Sequence, residues 1–198
     1  MKIIGITGGI GSGKSRVLKL LKEEYHAYVV EADVLAHKLM MKGNTAYINI
    51  VKAFGDSILD EDCQIDRAIL GQIVFQDKEK LEQLNAIVHP EVKNYIIQDI
   101  RKQSKNHQVN LYIIEAALLI EDGYEEICDE LWYIYADEEL RIRRLLESRG
   151  GTRQKWLDII GNQRCEDDYR NKCEHIVNND EDFVKTAGII KELLCSEV

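Results

Sequence analysis

The feature that most constrains this chain is a glycine-rich segment close to its start. Residues 8–15 read Gly-Gly-Ile-Gly-Ser-Gly-Lys-Ser and match the pattern G-x-x-x-x-G-K-[S/T]. The apolar run over 2–6 predicts a buried strand before the segment, and the spacing of apolar residues over 15–24 predicts a helix after it. A glycine loop in that context aims backbone N–H groups and the positive end of the helix at one point, which suits a phosphate. The segment predicts a nucleoside triphosphate site, with Lys14 on the β and γ phosphates and Ser15 on Mg²⁺.

Strand and helix patterns alternate along the rest of the chain. Further strands are predicted over 28–31, 111–114, 131–135 and 175–177, and helices over 34–41, 44–54, 78–102, 138–147, 154–162 and 181–194. Such alternation is typical of parallel strands joined by crossover helices, so we expect an open α/β sheet covered on both faces. The length of 198 residues predicts one domain, 1–198, and any second lobe as an insertion within it. The one proline, Pro90, predicts that the helix over 78–102 ends or kinks near His89.

Composition excludes several classes of protein. With 26 basic and 35 acidic residues the net charge is −9, which disfavours nucleic acid as a partner. The longest apolar run, 131–136, is far shorter than the ~20 residues of a membrane span. Because no signal-peptide pattern opens the chain either, we expect a cytoplasmic protein that does not enter a membrane. The five cysteines lack a C-x-x-C pair, so we expect reduced, mostly packed thiols.

Two acidic residues directly follow predicted strands, at the sheet edge where ligands bind in this class of fold. Asp33 follows the second strand. It is either the N-cap of the helix over 34–41 or the base that accepts the proton of an attacking hydroxyl. Glu115 follows the third strand and is either a Mg²⁺ ligand or an ordinary solvated charge.

A basic cluster occupies residues 141–155, with six basic residues against the one acid Glu147 and a net charge of +5. The basic residues are Arg141, Arg143, Arg144, Arg149, Arg153 and Lys155. Gly150 and Gly151 interrupt the helical pattern in the middle of the cluster, as expected of a hinged lid that brings arginines onto a transferring phosphate. The alternative is a solvated helix face with pairs such as Arg143 to Glu147.

Several separate motifs stand in one order along the chain. They are the segment over 4–15, Ala32-Asp33, Phe54-Gly55, Ile65-Asp66-Arg67, His89-Pro90-Glu91-Val92, Gln163, and Ile176-Val177-Asn178-Asn179. In this order they resemble the dephospho-coenzyme A kinase family, and the resemblance extends from Ile3 to about Asn179. It implies a P-loop nucleotide kinase fold with a parallel five-stranded sheet, a helical acceptor-binding insertion over 34–92 and an arginine-rich lid over 141–155.

The same resemblance implies an activity and roles for individual residues. The expected reaction is the phosphorylation of the ribose 3′-hydroxyl of dephospho-coenzyme A by ATP with Mg²⁺, the last step of coenzyme A biosynthesis. The expected catalytic residues are Lys14, Asp33, Arg144 and Arg149. The expected ATP-binding residues are Gly9, Gly11, Ser12, Gly13, Lys14, Ser15, Arg16 and Asn179. The expected acceptor-binding residues are Thr7, Asp33, Arg67, His89 and Leu118, and the expected metal-binding residues are Ser15 and Glu115.

The chain departs from the family pattern beside the third strand. Glu115 stands where the family has Asp, and Ala117 stands where it has Pro. Two alternatives therefore stay open: a P-loop kinase for another small acceptor, and a nucleotide-binding regulatory protein that does not transfer phosphate. We expect a monomer or a weak homo-oligomer.

Overall fold

The computed structural model describes residues 1–195, so the last three residues of the predicted domain 1–198 lie outside it. The described residues form five strands and nine α-helices. The strands are β1 (Lys2–Thr7), β2 (Tyr28–Glu31), β3 (Leu111–Glu115), β4 (Glu130–Tyr135) and β5 (His175–Asn178). The helices are α1 (Lys14–Glu24), α2 (Ala32–Leu39), α3 (Thr45–Phe54), α4 (Arg67–Phe75), α5 (Lys78–Asn106), α6 (Glu138–Arg149), α7 (Arg153–Gly161), α8 (Glu166–Lys172) and α9 (Phe183–Cys195).

The strands form one parallel sheet in the order β2-β3-β1-β4-β5. Its central strand β1 pairs with β3 on one side, Ile4 opposite Ile113, and with β4 on the other, Ile6 opposite Trp132. Non-sequential neighbours need crossover connections, which the helices between the strands supply. The predicted parallel five-stranded α/β sheet is confirmed.

Side chains alternate between the two faces of the sheet, and both faces are buried. Ile4 and Ile6 share a core with Val17 of α1 and Ile190 of α9. Tyr112 precedes Ile113 on β3, so its side chain lies on the opposite face of the sheet, and it is fully buried as well. Burial on both faces explains why the strands are apolar at successive positions, as expected for a parallel sheet.

The chain divides into two compact units. The sheet unit comprises Met1–Val30 and the chain from His107 onward, and the helical unit comprises Glu31–Asn106. Within the helical unit α5 packs against α2, α3 and α4, and buries Val88, Val92 and Ile96. The helical unit is wider than the range 34–92 predicted for the insertion.

Of the two predicted effects of Pro90, the end of the helix near His89 is wrong, and the kink stays a prediction. Helix α5 runs without interruption from Lys78 to Asn106 and contains Pro90. An interior proline costs a helix about 3 kcal/mol. The apolar face of α5, which includes Val88 and Val92 on either side of the proline, is buried against neighbouring helices and offsets that cost.

Two helices, α4 and α8, were not predicted from the sequence. Helix α4 begins at an N-cap, Asp66, whose carboxylate accepts hydrogen bonds from the backbone N–H groups of Ala68 (2.8 Å) and Ile69 (3.1 Å). Helix α8 has seven residues and one buried side chain, Tyr169. So short an element shows no apolar periodicity.

All five cysteines, which lie within residues 1–195, are free thiols, but the prediction that most are packed is wrong. Cys63, Cys165 and Cys195 are exposed, and Cys173 is buried. Cys63 stands in a turn, Cys165 is the N-cap of α8, and Cys195 is the last residue of α9. None of the helices in the described part of the chain combines the length and apolar composition needed to cross a bilayer.

Candidate active site

A loop over residues 8–13 connects β1 to α1, as the glycine motif predicts. Gly13 precedes the helix with φ +93°, a left-handed conformation that side chains disfavour, and a Cβ there would collide with the Asn179 amide. A Cβ on Gly9 would collide with the guanidinium of Arg141. Glycine is therefore required at Gly13, by its left-handed backbone and by the Asn179 contact, whereas a Cβ on Gly9 would meet the end of the flexible Arg141 side chain, which can shift.

Lys14 is the first residue of α1 and folds back over this loop. Its Nζ donates to the carbonyl oxygen of Gly8 at 2.7 Å and lies 3.8 Å from Oε1 of Glu115 at the end of β3. Both side chains are largely buried, with 17% and 13% of their surface exposed. The structure thus brings together two predicted site residues, an ammonium and a carboxylate, that are distant in sequence.

The tip of the loop is held by Arg141, which belongs to the lid segment, and by Gln163, which follows α7. Arg141 of α6 donates from Nε to the carbonyl of Ile10 (2.8 Å) and from Nη2 to Oε1 of Gln163 (2.6 Å). The same Gln163 oxygen accepts from the backbone N–H of Ile10 (3.1 Å). Burial lowers the pKa of Arg141. In the sequence Arg141 is one member of the basic cluster, whereas in the structure its side chain supports the loop.

A second brace holds the base of the loop. Asn179, just after β5, donates from Nδ2 to the carbonyl of Ser12 at 2.7 Å. Arg144 of α6 donates to the carbonyls of Asn179 (2.8 Å) and Ser12 (3.3 Å). Burial lowers the pKa of Arg144. Arg149, the other lid arginine predicted to be catalytic, is the exposed last residue of α6, so the two lie in different environments.

Four other predicted residues lie on or next to the loop. The hydroxyls of Thr7 and Ser12 are buried and have no hydrogen-bond partner among the described residues. Ser15 and Arg16 are exposed in the first turn of α1, and the Arg16 guanidinium stacks 4.1 Å from the ring centroid of Phe183. Buried hydroxyls without a protein partner are the type of polar group that bound phosphates and waters satisfy.

A cavity of about 300 Å³ adjoins the loop at Gly9. Its walls include Arg141, Gln163 and the stacked rings of Tyr133 and Tyr169, whose centroids are 4.7 Å apart. Burial raises the pKa of Tyr133 to about 12, so this phenol is neutral at physiological pH. Neither tyrosine was predicted from the sequence to lie near the site, because aromatic residues in a strand and a short helix are ordinary core residues.

The remaining predicted acceptor residues stand on other elements. Asp33 is exposed in the first turn of α2, which begins at Ala32, so the interpretation of Asp33 as the N-cap is wrong. In the helical unit Arg67 is the exposed first residue of α4 and His89 is half-buried in α5. Leu118 is 40% exposed in the turn after β3.

Comparison with known proteins agrees with this arrangement of loop and sheet. The family model for dephospho-CoA kinase (CoaE) matches residues 2–185. The chain belongs to the dephospho-CoA kinase family. It is 36% identical over 197 residues to the dephospho-CoA kinase of Carboxydothermus hydrogenoformans, covering 98% of this chain and 93% of that one.

Solved structures show the same fold. The protein TT1252 from Thermus thermophilus superposes with a TM-score of 0.81 at 28% identity, covering 100% of this chain and 98% of that one. A dephospho-CoA kinase from Campylobacter jejuni superposes with a TM-score of 0.73 at 23% identity over 100% of both chains. The P-loop kinase fold expected from the sequence is confirmed, together with the family itself.

The phosphate loop of this dephospho-CoA kinase family member fits a magnesium nucleotide. Within residues 1–195 no group of three or more His, Cys, Asp and Glu side chains is arranged to hold a metal ion. Mg²⁺ in nucleotide sites takes only one or two protein oxygens and fills its other positions with phosphates and waters. The hydroxyl of Ser15 and the carboxylate of Glu115 are oxygen ligands of that type. The metal-binding roles of both residues stay predictions.

Proposed function

We propose that this chain catalyses the transfer of the γ-phosphate of ATP to the ribose 3′-hydroxyl of dephospho-CoA, which yields coenzyme A. The observation that carries this proposal is membership of the dephospho-CoA kinase family over residues 2–185, in a chain whose phosphate loop keeps Lys14. The reaction uses ATP as the phosphate donor and dephospho-CoA as the acceptor.

Lys14 supplies the positive charge that faces the ATP phosphates. In this structure its ammonium is bonded to a loop carbonyl and near a carboxylate, so it is already held over the loop. Phosphoryl transfer places negative charge on the γ-phosphate oxygens and the leaving oxygen, and a fixed ammonium stabilises that charge. In this proposal two further groups of residues complete the ATP site. The first is the backbone N–H groups of Gly9, Gly11, Ser12 and Gly13, and the second is Ser15 and Arg16 in the first turn of α1.

The acceptor hydroxyl needs a base. We assign that role to Asp33, an exposed carboxylate in the first turn of α2. It would accept the proton as the hydroxyl oxygen attacks the γ-phosphorus, as a carboxylate does in other kinases. Arg67, His89, Leu118 and Thr7 would contact dephospho-CoA, and the helices of the helical unit would form the acceptor-binding insertion.

The lid role belongs to residues 141–155. Arg144 donates to the Ser12 carbonyl, so its role is to support the loop that binds ATP. Arg149 is exposed and is the candidate that reaches the γ-phosphate when the lid closes. Ser15 and Glu115 would hold Mg²⁺, which neutralises phosphate charge when bound. A cytoplasmic location, where ATP and dephospho-CoA are available, and a monomeric or weakly oligomeric state stay predictions of the same proposal.

A coupled assay of ADP release, with and without dephospho-CoA, tests the proposal. We expect ADP to form in proportion to coenzyme A and only when dephospho-CoA is present. ADP release that needs a different small acceptor would favour a kinase of another specificity. Binding of ATP without ADP release under any of these conditions would favour a regulatory protein and refute the proposed reaction.

A further inference from the structure

A buried hydroxyl lies behind the phosphate loop on an element with no predicted function. Thr186 of α9 is 1% exposed, and its Oγ1 lies 3.0 Å from Oδ1 of Asn179 and 3.1 Å from the carbonyl oxygen of Asn178. Asn179 is itself 3% exposed. A threonine hydroxyl is the only donor in this contact, because both neighbouring atoms are acceptors.

The Thr186 hydroxyl and the Ser12 carbonyl contact opposite sides of the Asn179 amide. Donation from Thr186 to Oδ1 directs the amide oxygen towards α9 and leaves Nδ2 facing the loop, where it donates to the carbonyl of Ser12 at 2.7 Å. The reverse orientation would place Oδ1 against the Ser12 carbonyl, two acceptors facing each other, so the Ser12 carbonyl selects the orientation of the amide and the Thr186 hydroxyl holds Oδ1 in it. Only one orientation satisfies every buried group.

The Ser12 carbonyl belongs to the peptide that joins Ser12 to Gly13, directly before Lys14. The guanidinium of Arg144 also holds this peptide, because it donates to the carbonyls of both Ser12 and Asn179. Gly13 lacks the Cβ that would collide with the Asn179 amide. The position of this peptide therefore depends on a chain of contacts that starts at Thr186.

We propose that Thr186 is a positioning residue for ATP binding: its hydroxyl holds the Asn179 amide oxygen, so that the amide Nδ2 fixes the Ser12–Gly13 peptide and preorganises the phosphate loop. Asn179, predicted from sequence to bind ATP, acts through the loop in this assignment. The inference rests on the proposed function only in naming ATP as the ligand. A loop that is already in place binds phosphate without a further loss of conformational freedom.

The experiment compares three variants in one helix. Thr186→Val removes the hydroxyl with little change of shape, Thr186→Ser keeps it, and Ile190→Val removes a methylene from a fully buried residue of α9 that belongs to the apolar core. The Kd for ATP is measured by calorimetry without acceptor, at a temperature where all proteins are folded. Then kcat and the two KM values are measured with dephospho-CoA.

We expect Thr186→Val to raise the Kd and KM for ATP by roughly three- to tenfold, the effect of losing one buried hydrogen bond. The KM for dephospho-CoA should stay within about twofold of the wild type. Thr186→Ser should restore ATP binding, and Ile190→Val should lower the Tm without changing the Kd for ATP. Unchanged ATP binding by Thr186→Val, or an equal loss in Ile190→Val, would overturn the assignment.

A second perturbation keeps the proposal testable if Thr186→Val does not fold. Asn179→Asp has the same shape but no N–H group to donate to Ser12, so it should weaken ATP binding at least as much. In a folded double variant, Thr186→Val should add nothing to Asn179→Asp, whereas additive effects would contradict a shared pathway. Because ATP binding is measured without acceptor, a failure of the proposed reaction would appear separately, as a wild type that binds ATP but does not phosphorylate dephospho-CoA.

Discussion

Replacing Lys14 by Met removes the ammonium that lies over the phosphate loop and keeps a side chain of similar length. The contacts that are lost include the hydrogen bond to the Gly8 carbonyl at 2.7 Å and the approach to Glu115 at 3.8 Å. The contacts of Asn179 with Ser12 and of Arg141 with Ile10 do not involve this ammonium. The variant therefore tests charge at the site with the loop itself still supported.

The cost to stability follows from these distances. At an effective dielectric constant near 20, two unit charges 3.8 Å apart attract by about 4 kcal/mol before desolvation. Desolvation of two largely buried groups opposes most of that attraction, so the net loss of unfolding free energy should be about 1–3 kcal/mol. For a chain of this size each kcal/mol lowers the Tm by about 2–4 °C. The variant should remain folded at 25 °C.

The loss of activity should be much larger than the loss of stability. An ammonium that stabilises charge in the transition state of phosphoryl transfer contributes roughly 4 kcal/mol, so kcat/KM should fall by at least about a thousandfold. The assay is ADP release with dephospho-CoA at 25 °C, with the Tm of each protein measured in parallel.

The matched control is Lys19→Met in the same helix. Lys19 is 70% exposed and pairs with Glu23 at 3.9 Å on the solvent face, so turnover should stay within about twofold of the wild type. A folded Lys14→Met protein with kcat/KM within tenfold of the wild type would refute the assignment of the loop as the γ-phosphate site.

Three further predictions concern other parts of the molecule. Asp33→Asn should lower kcat by roughly two to four orders of magnitude, because the variant has no carboxylate to accept the proton of the acceptor hydroxyl. Its Tm should move by only a few °C, because Asp33 is exposed and is not the N-cap of α2. An unchanged kcat would remove Asp33 from the catalytic residues. Amide hydrogen exchange over 141–155 should slow when ATP and dephospho-CoA bind together, and equal exchange rates with and without them would contradict a closing lid. Burial raises the pKa of Cys173 to about 12, so the folded chain keeps a proton that the unfolded chain releases near pH 9, and stability falls as pH rises through this window. Cys173→Ala should therefore reduce the slope of unfolding free energy between pH 9 and 10 by up to about 1.4 kcal/mol per unit, and an unchanged slope would show that Cys173 does not titrate differently in the two states.

Local sequence patterns were sufficient to predict most strands of the sheet and the phosphate loop. Strand β2 was predicted with its observed bounds, and β1 ended one residue later than predicted. The loop over 8–13 followed from glycines, Lys14 and Ser15 that are adjacent in sequence. These features depend on apolar runs and on a motif that is read within about fifteen residues, so no knowledge of the packing is needed.

Elements that depend on neighbours were predicted less well. The proline rule is local and marks Pro90 as a helix end, yet α5 continues because its apolar face is buried by helices from earlier in the chain. Helix α8 exists with a single buried side chain, which gives no periodic signal. In α5 tertiary packing outweighs the local preference, whereas α8 is too short to show a local pattern.

By itself the sequence determined the fold class, the phosphate loop and the family, because adjacent residues carry those signals. Only the tertiary structure decided what holds the loop. Gln163 reaches Ile10 across 153 residues, Asn179 reaches Ser12 across 167, and Thr186 reaches the loop only through Asn179. Contacts between such distant positions leave no pattern along a single chain, because they exist only once the parallel sheet has brought the ends of β1 and β5 to the same edge.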